Sequence, residues 1–94
     1  MYEKASINGH TLAQMKLAYM YGKGHGVKRD DTEAFHWFRK AAEQGHPKAQ
    51  YNLGVIYAKG RGINQNLDEA KKWYSRAADQ GDEHAERALN KFTA

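Results

Sequence analysis

Apolar residues recur along the chain at intervals of four and then three residues. Two stretches show this pattern: Ala13, Leu17 and Met20, then Ala49, Leu53 and Ile56. Such spacing places the side chains on one face of an α-helix. We therefore predict two helices over 11–21 and 47–58, called A helices, with these residues facing inward.

Proline and glycine mark the ends of the A helices. Pro47 fits a first helical position, and Gly22 is predicted to end the first A helix in a left-handed conformation. Residues 23–27 and 59–63 then form glycine-rich loops that turn one β-branched residue inward. A phosphate-binding loop is the alternative interpretation, but no strand precedes these loops and no Gly-Lys-Ser/Thr sequence follows the glycines.

Two further helices, called B helices, are predicted over 31–44 and 67–80. Each follows an acceptor side chain with a glutamate three residues later, the form of a capping box, and each ends at a glycine. These residues are Asp30, Glu33 and Gly45, then Asn66, Glu69 and Gly81. Alanines alternate with Trp37 and with Trp73 on one face, so we interpret the tryptophans as core residues rather than ligand-stacking groups.

The whole chain repeats every 36 residues without a slip in register. Four positions match in three copies: Ala5, Ala41 and Ala77; Gly9, Gly45 and Gly81; Ala13, Ala49 and Ala85; Leu17, Leu53 and Leu89. A period of this length is typical of stacked helix pairs. We predict an all-α fold, an α/α superhelical solenoid, with repeats over 10–45 and 46–81.

The two ends of the chain differ from these repeats. Residues 1–9 match the end of a B helix, so we expect a partial repeat cut from a longer array, able to self-associate through its uncovered face. Residues 82–94 are predicted to form a C-terminal capping helix. Its inward residues are Ala85, Leu89 and Phe92, and its solvent-facing residues are Glu83, Glu86, Arg87, Asn90 and Lys91.

The repeating residues resemble the Sel-1-like repeat, a relative of the tetratricopeptide repeat. The motif reads Ala49-Gln50-x-x-Leu53-Gly54-x-x-Tyr57-x-x-Gly60-x-Gly62-Ile63, then Asn66-x-x-x-Ala70-x-x-Trp73-Tyr74-x-x-Ala77-Ala78-Asp79-Gln80-Gly81. Residues 13–45 match it too, with Ala18 in place of Gly54. The resemblance implies A helices that line a concave surface, and a scaffold or adaptor that holds proteins together, often in bacterial signalling, envelope and host-interaction pathways.

The A-helix face opposite the predicted inward row varies between repeats. Its residues are Leu12, Met15 and Tyr19, then Lys48, Tyr51 and Val55, then His84, Arg87 and Lys91. The row changes from apolar and aromatic to basic, and tyrosine, methionine and arginine are enriched at interfaces. We expect it to bind a protein or peptide with apolar anchors and acidic residues, although an ordinary solvated face is the alternative.

Composition and the lengths of the apolar runs limit the class of protein and the compartments that fit this chain. The 94 residues include no cysteine, which excludes a disulfide framework and thiolate-rich metal sites. No apolar run approaches the roughly 18–20 residues that cross a bilayer, and residues 1–4 lack a secretory apolar core. We expect a soluble chain, cytoplasmic as given, or periplasmic or secreted if a signal peptide has been removed.

Few residues form a pattern typical of catalysis or metal binding, so we predict that the chain is not an enzyme and binds no cofactor and no metal. Neither Ser6 nor Ser75 is followed three residues later by lysine, and the five histidines form no metal-binding motif. A β-lactamase-like or other ligand-binding role is one alternative, since cysteine-rich members of the resembled family have been described as such. Weak nucleic-acid binding is the second, resting on a net charge of +4, but two and a half repeats are few for reading RNA.

Overall fold

The computed structural model describes residues 9–93, which form five helices. In chain order these are α1 (Gly9–Lys23), α2 (Asp31–Glu43), α3 (Pro47–Lys59), α4 (Leu67–Asp79) and α5 (Glu83–Thr93). Helices α1, α3 and α5 are A helices, and α2 and α4 are B helices. No strand occurs between residues 9 and 93, and the predicted all-α solenoid is confirmed. The predicted partial repeat, with the self-association expected of it, lies almost wholly outside the described residues.

Each helix packs against its neighbours in the chain, as in a solenoid. One buried cluster joins α1, α2 and α3 around the fully buried Leu53, and Trp73 from α4 completes it. A second cluster joins α4 and α5 around Ala77 and Ala85. Tyr57 of α3 packs against both clusters, so the core is continuous along the stack.

The predicted inward rows are confirmed in α3 and partly wrong in α1. Ala49, Leu53 and Ile56 are all buried, and they belong to the cluster that α3 shares with α2. In α1 the equivalent Ala13 is exposed, and Leu17 and Met20 are only partly buried. The reason is that no helix precedes α1 among the described residues, so its buried side chains are those that face α2: Thr11, Gln14, Met15 and Ala18.

The left-handed residue that follows α1 is Gly24, so the prediction for Gly22 is wrong. Helix α1 continues through Gly22 to Lys23, and Gly24 has a φ of +73°. Its equivalent Gly60, with a φ of +70°, ends α3 and donates its N–H to the carbonyl of Ile56 at 2.8 Å. A left-handed glycine therefore follows each of these helices, and in α1 it stands two residues later than predicted.

A side chain caps the start of each B helix, as predicted, but the glutamate three residues later does not complete the capping box. In α4, Oδ1 of Asn66 accepts a hydrogen bond from the backbone N–H of Glu69 at 3.0 Å. The backbone N–H of Asn66 donates to the carbonyl of Tyr57 in α3 at 2.8 Å, in place of the predicted glutamate. Asp30 makes the same two kinds of bond at the start of α2. The cap residue thus ties the start of each B helix to the A helix before it.

The glycine-rich loop of the second repeat rests on the start of α2. A Cβ on Gly62 would lie 2.7 Å from the carbonyl carbon of Asp31 and 2.8 Å from the backbone nitrogen of Thr32. The Thr32 hydroxyl donates to the carbonyl of Gly62 at 3.4 Å. A positive φ of 73° and this close backbone approach both require glycine. Loop geometry therefore explains why residue 62 is glycine, and the phosphate-binding interpretation is not needed.

Pairs of glutamines fasten each A helix to its own B helix. Nε2 of Gln44 donates to Oε1 of Gln14 at 2.7 Å, and Gln80 donates to Gln50 at the same distance. Gln50 also donates to the carbonyl of Ala42 in α2 at 3.2 Å, which joins the two repeats. Gln14 and Gln50 are buried, and their bonds offset the cost of removing an amide from water.

The tryptophans lie against the core, as predicted. Trp73 is buried and belongs to the cluster of the preceding helices, while Trp37 is partly buried and packs against the same cluster. A cation covers a ring face of each: Arg76 lies 4.5 Å from the Trp73 ring centroid, and Lys40 lies 4.7 Å from that of Trp37. These contacts stabilise the rings in place and cover one face of each, which leaves less ring surface for a stacking ligand.

Two helical glycines should respond in opposite directions to alanine. A Cβ on Gly54 would lie 2.7 Å from two carbons of the Tyr74 ring, whereas one on Gly22 would lie 3.6 Å from the Cβ of Ala34, an ordinary contact. Gly54→Ala should therefore lower the free energy of unfolding by about 1–3 kcal/mol. Gly22→Ala should raise it by about 0.5–1 kcal/mol, because alanine favours the helix, and the second repeat already has Ala58 there.

Urea denaturation of both variants beside the unsubstituted chain tests this. Gly22→Ala is the matched control, since it makes the same chemical change in another A helix. Equal stabilisation by the two alanines would show that the Tyr74 ring does not restrict residue 54.

The imidazole of His46 caps α3 in its neutral form. Its Nδ1 accepts a hydrogen bond from the backbone N–H of Lys48 at 3.2 Å, which a protonated ring cannot do. Burial lowers the pKa of His46 below its usual 6.5, and the nearby Lys48 charge lowers it further. Because the unfolded chain binds this proton more readily, the stability gained from the cap is complete above about pH 6.5 and falls as the pH drops.

Replacing this cap by aspartate should flatten the pH dependence of stability between about pH 7.5 and 5. Asp82, the repeat equivalent of His46, already accepts from the backbone N–H of Ala85 at 2.9 Å. In His46→Asp the carboxylate stays ionised over this range and suits a helix N-terminus. The variant should gain up to about 1 kcal/mol over the unsubstituted chain as the pH falls. Thermal melts at several pH values measure this, and parallel profiles would contradict it.

Candidate functional site

Two notches open on the face formed by α1, α3 and α5, called the A face. Notch 1 lies between α1 and α3, and notch 2 lies between α3 and α5. They occupy the same place in successive repeats: Tyr19, Gly22, Lys23, Phe38, Asn52, Val55 and Ile56 of notch 1 correspond to Val55, Ala58, Lys59, Tyr74, Ala88, Lys91 and Phe92 of notch 2. The repeat therefore builds one type of notch twice.

Side chains of the protein itself fill part of notch 1. The Tyr19 ring packs edge-to-face on Phe38, with 5.3 Å between ring centroids and 87° between ring planes. Its hydroxyl accepts a hydrogen bond from Nδ2 of Asn52 at 2.9 Å, which links α1 to α3. The remaining volume is about 240 Å³.

Notch 2 is open because shorter side chains stand in the equivalent positions. Val55 takes the place of Tyr19, and Ala88 takes the place of Asn52. Neither can reach across the notch as the tyrosine and asparagine do in notch 1. The volume is about 490 Å³, twice that of notch 1.

Aromatic rings form the floor and walls of notch 2. Tyr74 is buried at the floor, where its ring lies directly against the α3 backbone because Gly54 has no Cβ. The ring centroids of Tyr51 and Phe92 lie 5.7 and 6.0 Å from that of Tyr74, and His84 lies 5.7 Å from Tyr51. Burial raises the pKa of the Tyr74 phenol, as does neighbouring Tyr51, so this floor is uncharged at neutral pH.

Basic side chains surround notch 2, and no carboxylate lines it. Lys59 from α3 and Arg87 and Lys91 from α5 stand at its edge, all three exposed. None of the three forms an ion pair with another residue between positions 9 and 93. The acidic residues of α5, Glu83 and Glu86, are not among the lining residues, so this helix separates its charges by face.

The repeat that builds the notches matches a known family. The model of the Sel1 repeat matches residues 11–46 and 47–82, which is most of the chain. The chain belongs to the Sel1 repeat family. Sel1 repeat proteins are generally protein-interaction scaffolds, and their fold is typically non-catalytic. No curated protein matches the chain significantly.

Solved bacterial structures of Sel1 repeat proteins superpose closely on this chain. A Sel1 repeat protein from Oxalobacter formigenes is 44% identical with a TM-score of 0.84, covering 86% of this chain and 61% of its own. A protective antigen of uropathogenic Escherichia coli strains, displaying an SLR fold, is 43% identical with a TM-score of 0.79, covering 80% of this chain and 16% of its own. Cysteine-rich protein B of Helicobacter pylori is 26% identical with a TM-score of 0.80, covering 84% and 59%. This Sel1 chain thus spans less than two thirds of each relative.

The structure places most of the predicted binding residues on the A face of this Sel1 solenoid. Notch 2 brings together Tyr51, Val55, His84, Arg87 and Lys91. Tyr19 lines notch 1, while Leu12 and Lys48 are exposed outside both notches. Binding by these residues stays a prediction.

The assignment of Met15 to the exposed face is wrong. Met15 is only 5% exposed and belongs to the same buried cluster as Phe38 of α2. The equivalent Tyr51 also faces its own B helix, at Tyr74, but its larger ring extends toward His84. This helix position faces the interior of the repeat, and only a long side chain extends from it to the surface.

Sequence reasoning missed the floor and part of the edge of notch 2. Tyr74 and Lys59 line the notch, and neither was among the predicted binding residues. The 36-residue repeat does contain a signal for these two residues, since Tyr74 is the repeat equivalent of Phe38, and Lys59 is that of Lys23. Periodicity alone does not show that these side chains converge from different helices.

Residues 9–93 contain no group of three metal-ligating side chains. No helix in this range is both long enough and apolar enough to cross a bilayer.

Proposed function

We propose that this chain is a non-catalytic protein-interaction scaffold that binds a peptide or helix of a partner protein along the A face. The observation that supports this most is the contrast between the two notches. The scaffold positions recur from repeat to repeat, while the side chains that decide whether a notch is filled or open differ. A stack that keeps its packing residues while the side chains of one exposed face change can alter what that face binds.

The exposed residues of the A face add apolar and charged area beside notch 2. Leu12 of α1 is 53% exposed and Tyr19 is 36% exposed, which is high for large apolar side chains. At the other end of the face, His84, Arg87 and Lys91 are exposed on α5. An extended partner that runs across α1, α3 and α5 would meet apolar surface first and positive charge last.

The make-up of notch 2 supports a binding role over a catalytic one. Of the ten residues that line it, none is an aspartate, glutamate, serine or threonine. His84 therefore has no carboxylate in the notch to orient it and no hydroxyl in the notch to activate. With its pKa raised, the Tyr74 phenol is also a poor general base at neutral pH.

Site-specific photo-crosslinking would locate the partner-binding face. Leu12 and Lys48, repeat equivalents exposed on the A face, would each be replaced by a photoreactive phenylalanine in cells that produce the protein. The matched controls are His36 and Lys72, which are repeat equivalents exposed on the B helices. All four positions are solvent-exposed, so folding should be unchanged, which circular dichroism would verify.

We expect both A-face positions to trap the same partner protein and the B-helix positions to trap none. The trapped species would be identified by mass spectrometry. Adducts formed only from the B helices would contradict the proposal, and so would RNA as the trapped molecule.

A further inference from the structure

Notch 1 contains a side chain that notch 2 lacks. In notch 1 an aromatic ring, Tyr19, enters between two A helices and packs edge-to-face on the aromatic floor residue, Phe38. In notch 2 the same backbone positions and an aromatic floor, Tyr74, are present, but Val55 supplies no ring. Notch 1 is therefore an internal template: its Tyr19 shows which kind of side chain notch 2 can hold.

We propose that notch 2 binds a phenylalanine or tyrosine side chain of a partner protein, in a segment where acidic residues flank that aromatic residue. The proposal rests on the binding role of the A face given above and identifies its anchoring point. The ring would take the place that Tyr19 has in notch 1. It would pack against Tyr74, between Val55 on α3 and Ala88 on α5.

The walls of notch 2 suit an aromatic ring better than an aliphatic chain. The rings of Tyr51 and Phe92 already pack against the ring of Tyr74, at centroid separations of 5.7 and 6.0 Å. A ring that enters the notch would meet aromatic neighbours, with which it can make contacts of the same kind. The floor is uncharged, so a ring that covers it does not remove a charged group from water. A volume of about 490 Å³ leaves room for the ring and part of the adjoining backbone.

The charges around notch 2 select the residues that flank the ring. Lys59, Arg87 and Lys91 come from both walls, and no carboxylate of the notch neutralises them. Carboxylates on either side of an inserted ring would meet these cations within a short distance, whereas lysines would be repelled. Since the cations are exposed, their attraction should weaken as salt is added.

A protein segment fits notch 2 better than a single-stranded nucleic acid does, although a basic edge and aromatic rings could serve both. Nucleic-acid binding needs successive stacking platforms along a groove. Here Tyr19 and Asn52 occupy part of the neighbouring notch, so notch 2 is the larger of the two open sites on the described A face. In notch 1 the ring that occupies this place is a tyrosine side chain, which also favours a protein segment as the occupant of notch 2.

Short fluorescein-labelled peptides test the chemistry of the occupant by fluorescence polarisation. The probe has a central phenylalanine with aspartate and glutamate on both sides. One comparison peptide has alanine in place of phenylalanine, and another has lysines in place of the acids. We expect saturable binding of the probe, a loss of at least about tenfold in affinity for either comparison peptide, and weaker binding at about 150 mM salt than at about 20 mM.

Substitutions that copy notch 1 into notch 2 test the location. Val55→Tyr with Ala88→Asn introduces the pair that already narrows notch 1, so the fold should tolerate it while probe affinity falls at least about tenfold. The matched control, His36→Tyr with Lys72→Asn, introduces the same two side chains at exposed positions of the B helices and should leave the probe affinity unchanged. Amide chemical-shift changes on adding the probe should centre on Val55, Ala88 and Phe92.

A charge-reversed variant keeps the test decisive if the closed notch does not fold. Arg87→Glu with Lys91→Glu changes only exposed residues, and it should lose the acidic probe and gain the lysine-flanked peptide. Unchanged affinity in the closed-notch variant, shift changes away from notch 2, or tighter binding of an RNA oligonucleotide at this notch would each overturn the proposal. Partner trapping from Leu12 and Lys48 with no probe binding would reject this anchor while leaving the A-face scaffold in place.

Discussion

Close approach of consecutive helices through alanine is the constraint on which the rest of this structure depends. Ala41 and Ala49 in one cluster, and Ala77 and Ala85 in the other, have no exposed surface at all. A side chain this small lets two helix backbones come close, and the large rings beside it then fill the space that remains. Larger residues at these positions would separate the helices, and the glutamine pairs and loop contacts would no longer meet.

The sequence was enough to predict the helices and much of the core, because both follow from the repeat. The cap at Asn66 and the burial of Leu53 depend on local spacing and on neighbours that every internal repeat has. The errors arose where a residue lacks those neighbours or where its direction depends on another helix. Ala13 is exposed since no described helix covers it, and Met15 is buried in the cluster that α1 shares with α2 and α3.

The same limit explains why the A face was identified but its notch was not. Residues such as Arg87 and Lys91 could be placed on one face of α5 from helical spacing alone. That they meet Lys59 of α3 around Tyr74 depends on how far apart the A helices stand. This separation is set by the packing of α4 beneath them, and Gly54 contributes by letting the Tyr74 ring lie on the α3 backbone. No single-helix pattern contains that information.

The contact of Gly62 with the start of α2 has a consequence for the shape of the superhelix. Here the loop of one repeat meets the previous repeat through backbone atoms, at a point where no Cβ would fit. The rotation between the two repeats of this chain is therefore set partly by main-chain geometry, which surface substitutions do not alter. The angle between the repeats can stay constant while the side chains on the A face change, so a Sel1 stack of this kind can diverge in its surface without changing its shape.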